Sequence, residues 1–309
     1  LIAIYYFSDI PLIIIAQKSI TGVDSFPLLA IPFFMLAGNL MSSGGIARRL
    51  VNFFDALIGH VTGGLGMVTI IVCMFFAAIS GSAVATVSAV GAFMIPEMVD
   101  HGYNKPFSAA LTAAAGTIGV IIPPSIPFVI YGVVSGTSIT DMFTAGFMPG
   151  IMMGAALMIV CYFVSKKNGY RGKEKASSAK EIWVAFKDAF WAILSPVIIL
   201  GGIYSGFFTP TEAAVISVVY SFIVGVFVYK ELDVRGAYKS FKDAIVVNGA
   251  TTFMVGFSTV FAAFLTMAQI PNMIAQAILG LTDNAILILL IINIFLLIVG
   301  MFIDNIPAT

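Results

Sequence analysis

Two short polar steps interrupt apolar sequence in this 309-residue chain, Ser80-Gly81-Ser82 and Asp304-Asn305-Ile306-Pro307. Each stands at the end of a long apolar segment, where a membrane helix would otherwise run on. Unwinding a helix at such a point frees backbone carbonyls. Together with Ser and Thr hydroxyls these are the hard oxygen ligands that a small cation takes. The duller alternative at the first step is that Gly and Ser let helices approach closely. Gly116-Thr117-Ile118-Gly119-Val120-Ile121-Ile122-Pro123-Pro124 is a further break. Its two prolines remove two amide donors, so carbonyls around 119–120 lose their helical partners, unless the segment only kinks. Asp304 follows a stretch without charge, residues 284–303. A carboxylate at membrane depth is costly and marks an ion or proton path, although an interfacial Asp can also simply end a helix.

The two steps are placed alike. Ile46 precedes Ser80 by 34 residues, and Ile270 precedes Asp304 by the same 34. Both intervals read as an amphipathic stretch, a small polar turn and a span running into the break. A broken helix repeated in two halves of an apolar chain is the sequence sign of a solute and ion site in a secondary transporter. The chain is expected to be an all-α membrane protein with repeats, re-entrant hairpins and broken helices. Residues 1–164 form the first repeat, 165–188 a charged connecting loop, and 189–309 the second repeat. Within the first, 81–98 is expected to be a re-entrant hairpin, because Gly91 and Pro96 interrupt it, and 107–134 a broken helix. Spans are expected near 26–42, 64–80, 143–164, 189–207, 212–229, 245–267 and 284–303, with amphipathic pieces at 44–60 and 269–282. The first of these carries Arg48 and Arg49 beside Phe53, Phe54 and Leu57, the pattern of a helix lying at the membrane interface. Glu212, after Thr209-Pro210-Thr211, is expected to cap a helix. Leu1 opens within an apolar run and the chain stops inside the second break, so both ends are expected to be cut.

Composition bounds the rest. The chain is 60% hydrophobic and 10% charged with zero net charge, and its mean hydropathy is +1.06. Soluble domains carry about 25% charged residues, so this is a membrane protein. Zero net charge gives nucleic acid no handle. Cys73 and Cys161 lie in apolar spans without ligand spacing. Of the 15 Lys and Arg, 11 fall in 165–188 and 230–243, which places both segments on the cytoplasmic side. No phosphate-cradling Gly-Lys-Ser/Thr motif, His-Glu-x-x-His or nucleophile elbow is present, so neither ATP nor an enzymatic step is expected.

Four segments in order resemble one family: Ser25-Phe26-Pro27-Leu28-Leu29-Ala30-Ile31-Pro32-Phe33-Phe34, Phe76-Ala77-Ala78-Ile79-Ser80-Gly81-Ser82-Ala83, Ile121-Ile122-Pro123-Pro124-Ser125-Ile126-Pro127 and Phe208-Thr209-Pro210-Thr211-Glu212-Ala213-Ala214. They are similar to the large membrane subunit of tripartite ATP-independent periplasmic (TRAP) transporters. The resemblance implies a Na⁺-coupled symporter of the bacterial inner membrane with inverted repeats and an elevator motion. It also implies a small membrane subunit and a periplasmic binding protein that delivers an organic acid. By motif, the first Na⁺ site would use Ser80, Gly81 and Ser82 with backbone oxygens around Gly116, Thr117, Gly119 and Ile122. The second would use Asp304 and Asn305. Substrate would sit near Ser82, Pro123, Pro124, Ser125 and Asp304, with no cofactor besides the coupling ion. Sialic-acid members are expected to carry an arginine before the second amphipathic helix, where this chain reads Thr266-Met267-Ala268-Gln269. The competing readings are a two-component Na⁺/dicarboxylate symporter without a binding protein, and a structural subunit of a membrane complex.

Overall fold

The computed structural model describes residues 11, 13–282 and 284–303, and among them every regular element is helical. The helices are α1 (Ile13–Thr21), α2 (Ala30–Ser43), α3 (Ile46–Ile58), α4 (Gly64–Ser80), α5 (Ala83–Asp100), α6 (Lys105–Gly116), α7 (Ile126–Ser135), α8 (Ile139–Asn168), α9 (Ala179–Tyr204), α10 (Pro210–Ile223), α11 (Val234–Met267), α12 (Ile270–Leu281) and α13 (Ala285–Gly300). Short 3₁₀ turns occupy Phe26–Leu29 and Thr117–Val120, and one π-helical turn, Val224–Val228, extends α10. Among the described residues, six helical segments, Phe26–Ser43, α5, α8, α9, Pro210–Val228 and α11, are long and apolar enough to cross a membrane.

The chain divides into two compact units, residues 29–246 and residues 1–28 with 247–309. In the larger unit α2, α3, α9 and α10 pack together, and α4 to α8 form a second group around α4. The core of this unit holds Phe76, Ile70, Ile79, Met94, Met98 and Ile118, all fully buried. In the smaller unit α1 lies along α11, where a Cβ on Gly256 would come within 2.8 Å of the Ser19 carbonyl. The faces of α12 and α13 are open among the described residues.

Two expectations need correction. Residues 81–98 are not a hairpin of two half-helices: Ala83–Asp100 is one helix that keeps Gly91 and Pro96 inside it. A proline in mid-helix costs one hydrogen bond and a kink, and Gly91 instead admits the Thr112 side chain, which would lie 3.2 Å from a Cβ there. The reversal falls earlier, at Gly81-Ser82, between α4 and α5. The connecting loop is also shorter than 165–188. The Ser178 side chain accepts from the Glu181 N–H and the Glu181 carboxylate accepts from the Ser178 N–H, a reciprocal cap that starts α9 before the charges end. Likewise 230–243 is mostly the first turns of α11. On α3 the face of Ile46, Ala47, Leu50 and Phe54 is buried in protein.

The arginines of α3 are taken up by acids. Arg49 pairs with Glu231 at 2.8 Å and Asp188 at 3.2 Å, Arg48 pairs with Glu231 at 2.7 Å, and the Arg49 guanidinium lies 3.8 Å from the Tyr229 ring centre. The Tyr229 hydroxyl donates to the Asp188 carbonyl at 2.9 Å and accepts from the Ala192 N–H at 3.1 Å. Lys173 pairs with Asp55 at the far end of the same helix. Residues from both Lys/Arg-rich segments therefore meet along α3, as expected if the two segments share one side. As expected too, Thr209 and Glu212 form a reciprocal cap at the start of α10.

Candidate ion and solute site at two crossed helix breaks

The two breaks of the larger unit touch. α4 ends when Gly81 takes a left-handed conformation (φ 62°), which glycine adopts without the strain of a Cβ. Ser82 then caps α5, its hydroxyl accepting from the Ala85 N–H at 3.4 Å. The second break is built the same way: the 3₁₀ turn Thr117–Val120 stops at the prolines, and Ser125 caps α7 by accepting from the Phe128 N–H at 3.4 Å. Pro123 and Pro124 are joined by a cis peptide bond. The link between the breaks is direct, because the Gly81 carbonyl accepts from the Ile126 N–H at 3.2 Å. A Cβ on Gly81 would lie 2.7 Å from the Pro124 carbonyl oxygen, and one on Gly119 would lie 2.9 Å from the Ser82 carbonyl oxygen.

The backbone ledger of the second break follows from its residue types. In a continued helix the Gly119 and Val120 carbonyls would accept from residues 123 and 124, which are prolines without an N–H. The Ser125 hydroxyl replaces the lost donor at Val120, at 2.7 Å. Downstream, Ile126 gives its N–H to Gly81, Pro127 has none, and Phe128 gives its own to the Ser125 side chain. Among the described residues no hydrogen bond is donated to the carbonyls of Gly119, Ile122, Pro123 or Pro124. All four residues are buried. Buried carbonyls are almost always partnered, so a cluster of free ones calls for a ligand or water.

The first break contributes hydroxyls. Ser80 is fully buried, and its Oγ lies 3.1 Å from Thr86 Oγ1 and 3.5 Å from the Ser82 carbonyl oxygen. From α2, Gly38 lets the helix sit against Ser80, where a Cβ would be 2.8 Å from Ser80 Cβ. On the other side Gly146 and Gly150 of α8 admit Ile121 and Ile122.

The structure thus brings together Ser80, Gly81, Ser82, Gly119, Ile122, Pro123, Pro124 and Ser125. Gly116 closes α6 against Val87 of α5. Thr117 is exposed and gives its hydroxyl to the Ala114 carbonyl at 2.7 Å. Asp304 and Asn305 lie outside the described residues. Thr86 joins Ser80 and Ser82 at the crossing, and little in its sequence context marks it. Its only sequence signal is the four-residue spacing from Ser82, which puts its hydroxyl over the unwound step.

Neither 80–86 nor 116–128 contains an ionisable side chain. The field at the crossing therefore comes from hydroxyls, free carbonyls and helix ends: carbonyl ends of α4 and the 3₁₀ turn, amide ends of α5 and α7. Neutral oxygens of this kind suit a monovalent cation, whereas calcium sites rely on carboxylates. Among the described residues no group of three or more His, Cys, Asp or Glu is placed to hold a metal.

The model of the family described as "Tripartite ATP-independent periplasmic transporter, DctM component" matches residues 1–309. The isethionate TRAP transporter permease protein DctMQ of Oleidesulfovibrio alaskensis is 47% identical over 97% of this chain, and the chain spans 47% of that protein. The sialic acid TRAP transporter large permease protein SiaM of Vibrio cholerae is 44% identical over 94% of the chain, which spans 68% of it. The C4-dicarboxylate TRAP transporter large permease protein DctM of Rhodobacter capsulatus is 36% identical over 97% of the chain, which spans 71% of it. The resemblance in the four motifs extends over the whole sequence, and the chain belongs to the DctM family of tripartite ATP-independent periplasmic transporter components.

Proposed function

We propose that this chain is the ion-and-solute half of a Na⁺-coupled symporter for a small organic acid in the bacterial inner membrane. The crossing of two helix breaks, with free buried carbonyls beside the Ser80 and Ser82 hydroxyls, is the observation that carries this reading. Na⁺ would be held by Ser80 Oγ, backbone oxygen at Ser82, and the carbonyls of Gly119 and Ile122. The acid would lie against the amide ends of α5 and α7, near Ser82, Pro123, Pro124 and Ser125, where helix dipoles favour an anion. Asp304 and Asn305 would serve the second ion position. Relatives named for isethionate, sialic acid, C4-dicarboxylate and 2,3-diketo-L-gulonate support an anionic organic acid and include a sulfonate, so the acid group need not be a carboxylate.

The motion that fits this architecture is an elevator. α4 to α8 would travel as one body carrying both breaks, against a fixed group of α2, α3, α9 and α10. The Arg49 cluster would hold α3 to that fixed group. A small membrane subunit and a periplasmic binding protein would complete the transporter.

In proteoliposomes containing the full-length protein with its small subunit, acid uptake should require the cognate periplasmic binding protein. Substrate-free binding protein should not substitute for the loaded form. Uptake of free acid at the same rate without any binding protein would favour the two-component symporter instead.

A further inference from the structure

We infer that Thr86 supplies a coordinating hydroxyl to the cation at this crossing, an assignment that rests on the cation reading above. Thr86 is a fully buried hydroxyl on a helix whose neighbours are Ala and Val. Its Oγ1 donates to the Ser82 carbonyl at 2.8 Å and lies 3.1 Å from Ser80 Oγ, while Ser80 Oγ lies 3.5 Å from the Ser82 carbonyl oxygen. Three oxygens thus form a triangle with edges of 2.8, 3.1 and 3.5 Å. Oxygen ligands at about 2.3–2.6 Å around one ion stand roughly 3.2–3.7 Å apart in an octahedral arrangement. The triangle is therefore close to one face of such a shell, and needs only slight opening to meet it.

Back-bonding from Thr to the carbonyl four residues earlier is ordinary, and Thr69, Thr112 and Thr259 of this chain do the same. Two things set Thr86 apart. Its oxygen faces a second buried hydroxyl at a helix break, and it faces the other break as well: a Cβ on Gly119 would lie 2.8 Å from Thr86 Oγ1. A hydroxyl has one proton and two lone pairs. Donation to Ser82 uses the proton and leaves both lone pairs to accept. The Ser80 hydroxyl can occupy one of them until a cation takes its place.

The test is ²²Na⁺ binding to the purified full-length protein, beside its melting temperature in Na⁺ and in K⁺. Thr86→Val keeps the side-chain shape and should weaken Na⁺ binding about tenfold or more, the usual cost of a lost or displaced ligand. Its melting temperature in K⁺ should fall only by what the lost hydrogen bond to Ser82 costs, and in Na⁺ it should fall further, because the rise produced by Na⁺ is lost as well. Thr86→Ser should bind within about threefold of wild type, since the ligand atom remains. Should the valine variant not fold, Thr86→Cys replaces it with the same expectation, because sulfur is a poor ligand for a hard cation. Ser80→Ala separates the two readings. Loss of binding in Ser80→Ala with wild-type binding in Thr86→Val overturns the Thr86 assignment and leaves the cation site standing. Wild-type binding in both removes the cation from the crossing altogether. Equal melting losses in Na⁺ and K⁺ would make Thr86 a structural residue only.

Discussion

Gly81→Ala in the full-length protein is expected to cut Na⁺-dependent uptake to about one tenth of wild type or less, the scale of effect seen when ligand-positioning groups are disturbed. Two costs coincide at this residue. Its φ of 62° lies in the left-handed region, and an added Cβ would stand 2.7 Å from the Pro124 carbonyl oxygen. Backbone strain of about 1–2 kcal/mol and overpacking of about 1–3 kcal/mol follow from these. The clash is with backbone, so no side chain can rotate out of the way. Relief requires the two breaks to separate, which would lengthen the bond between Ile126 and Gly81. Gly102→Ala is the control, since Gly102 also has positive φ (85°) but nothing within 4 Å of the added atom. It should lose some stability through strain yet keep Na⁺-dependent uptake. If Gly81→Ala and Gly102→Ala behave alike, contact between the breaks has no part in transport.

Asp304→Ala should abolish Na⁺-driven uptake while insertion and folding survive. A carboxylate in an apolar setting costs free energy to bury, by about 2.5–3.5 kcal/mol on insertion scales, so removing it does not by itself weaken the fold. It does remove an anionic oxygen that Na⁺ would hold more tightly than any neutral one. Asp304→Asn keeps one carbonyl-type oxygen and should retain a small fraction of the activity at high Na⁺. Wild-type Na⁺ dependence in the alanine variant would exclude Asp304 from the ion path.

The breaks were legible because their chemistry is local. Gly supplies positive φ, Ser caps a helix, and Pro withholds an N–H, so Ser80-Gly81-Ser82 and Pro123-Pro124-Ser125 announce themselves without any tertiary information. Gly91 and Pro96 look like breaks on the same local grounds and are not. A helix already capped at Ser82 and packed along α6 tolerates one missing hydrogen bond, so α5 runs through both. Charge misled at residues 179–188. Hydropathy reports where a segment meets lipid, whereas the cap of Ser178 and Glu181 decides where the backbone begins to wind. The partners of Arg49 are not legible locally, because Asp188 and Glu231 are 139 and 182 residues away. Thr86 was silent for a related reason. Nothing in Ala-Val-Ala-Thr-Val distinguishes a site hydroxyl from a packing one until Ser80 and Gly119 are placed beside it.

On the reading proposed above, Na⁺ rather than ATP energises a solute site at these breaks. The most direct measurement is initial uptake of the labelled acid into proteoliposomes holding the full-length transporter, with loaded binding protein outside and no nucleotide. Under an inward Na⁺ gradient the acid should accumulate above its external concentration, and replacing Na⁺ by K⁺ at equal ionic strength should reduce the rate to background. Equal uptake in K⁺, or accumulation only when ATP is supplied, would overturn Na⁺ coupling at these breaks.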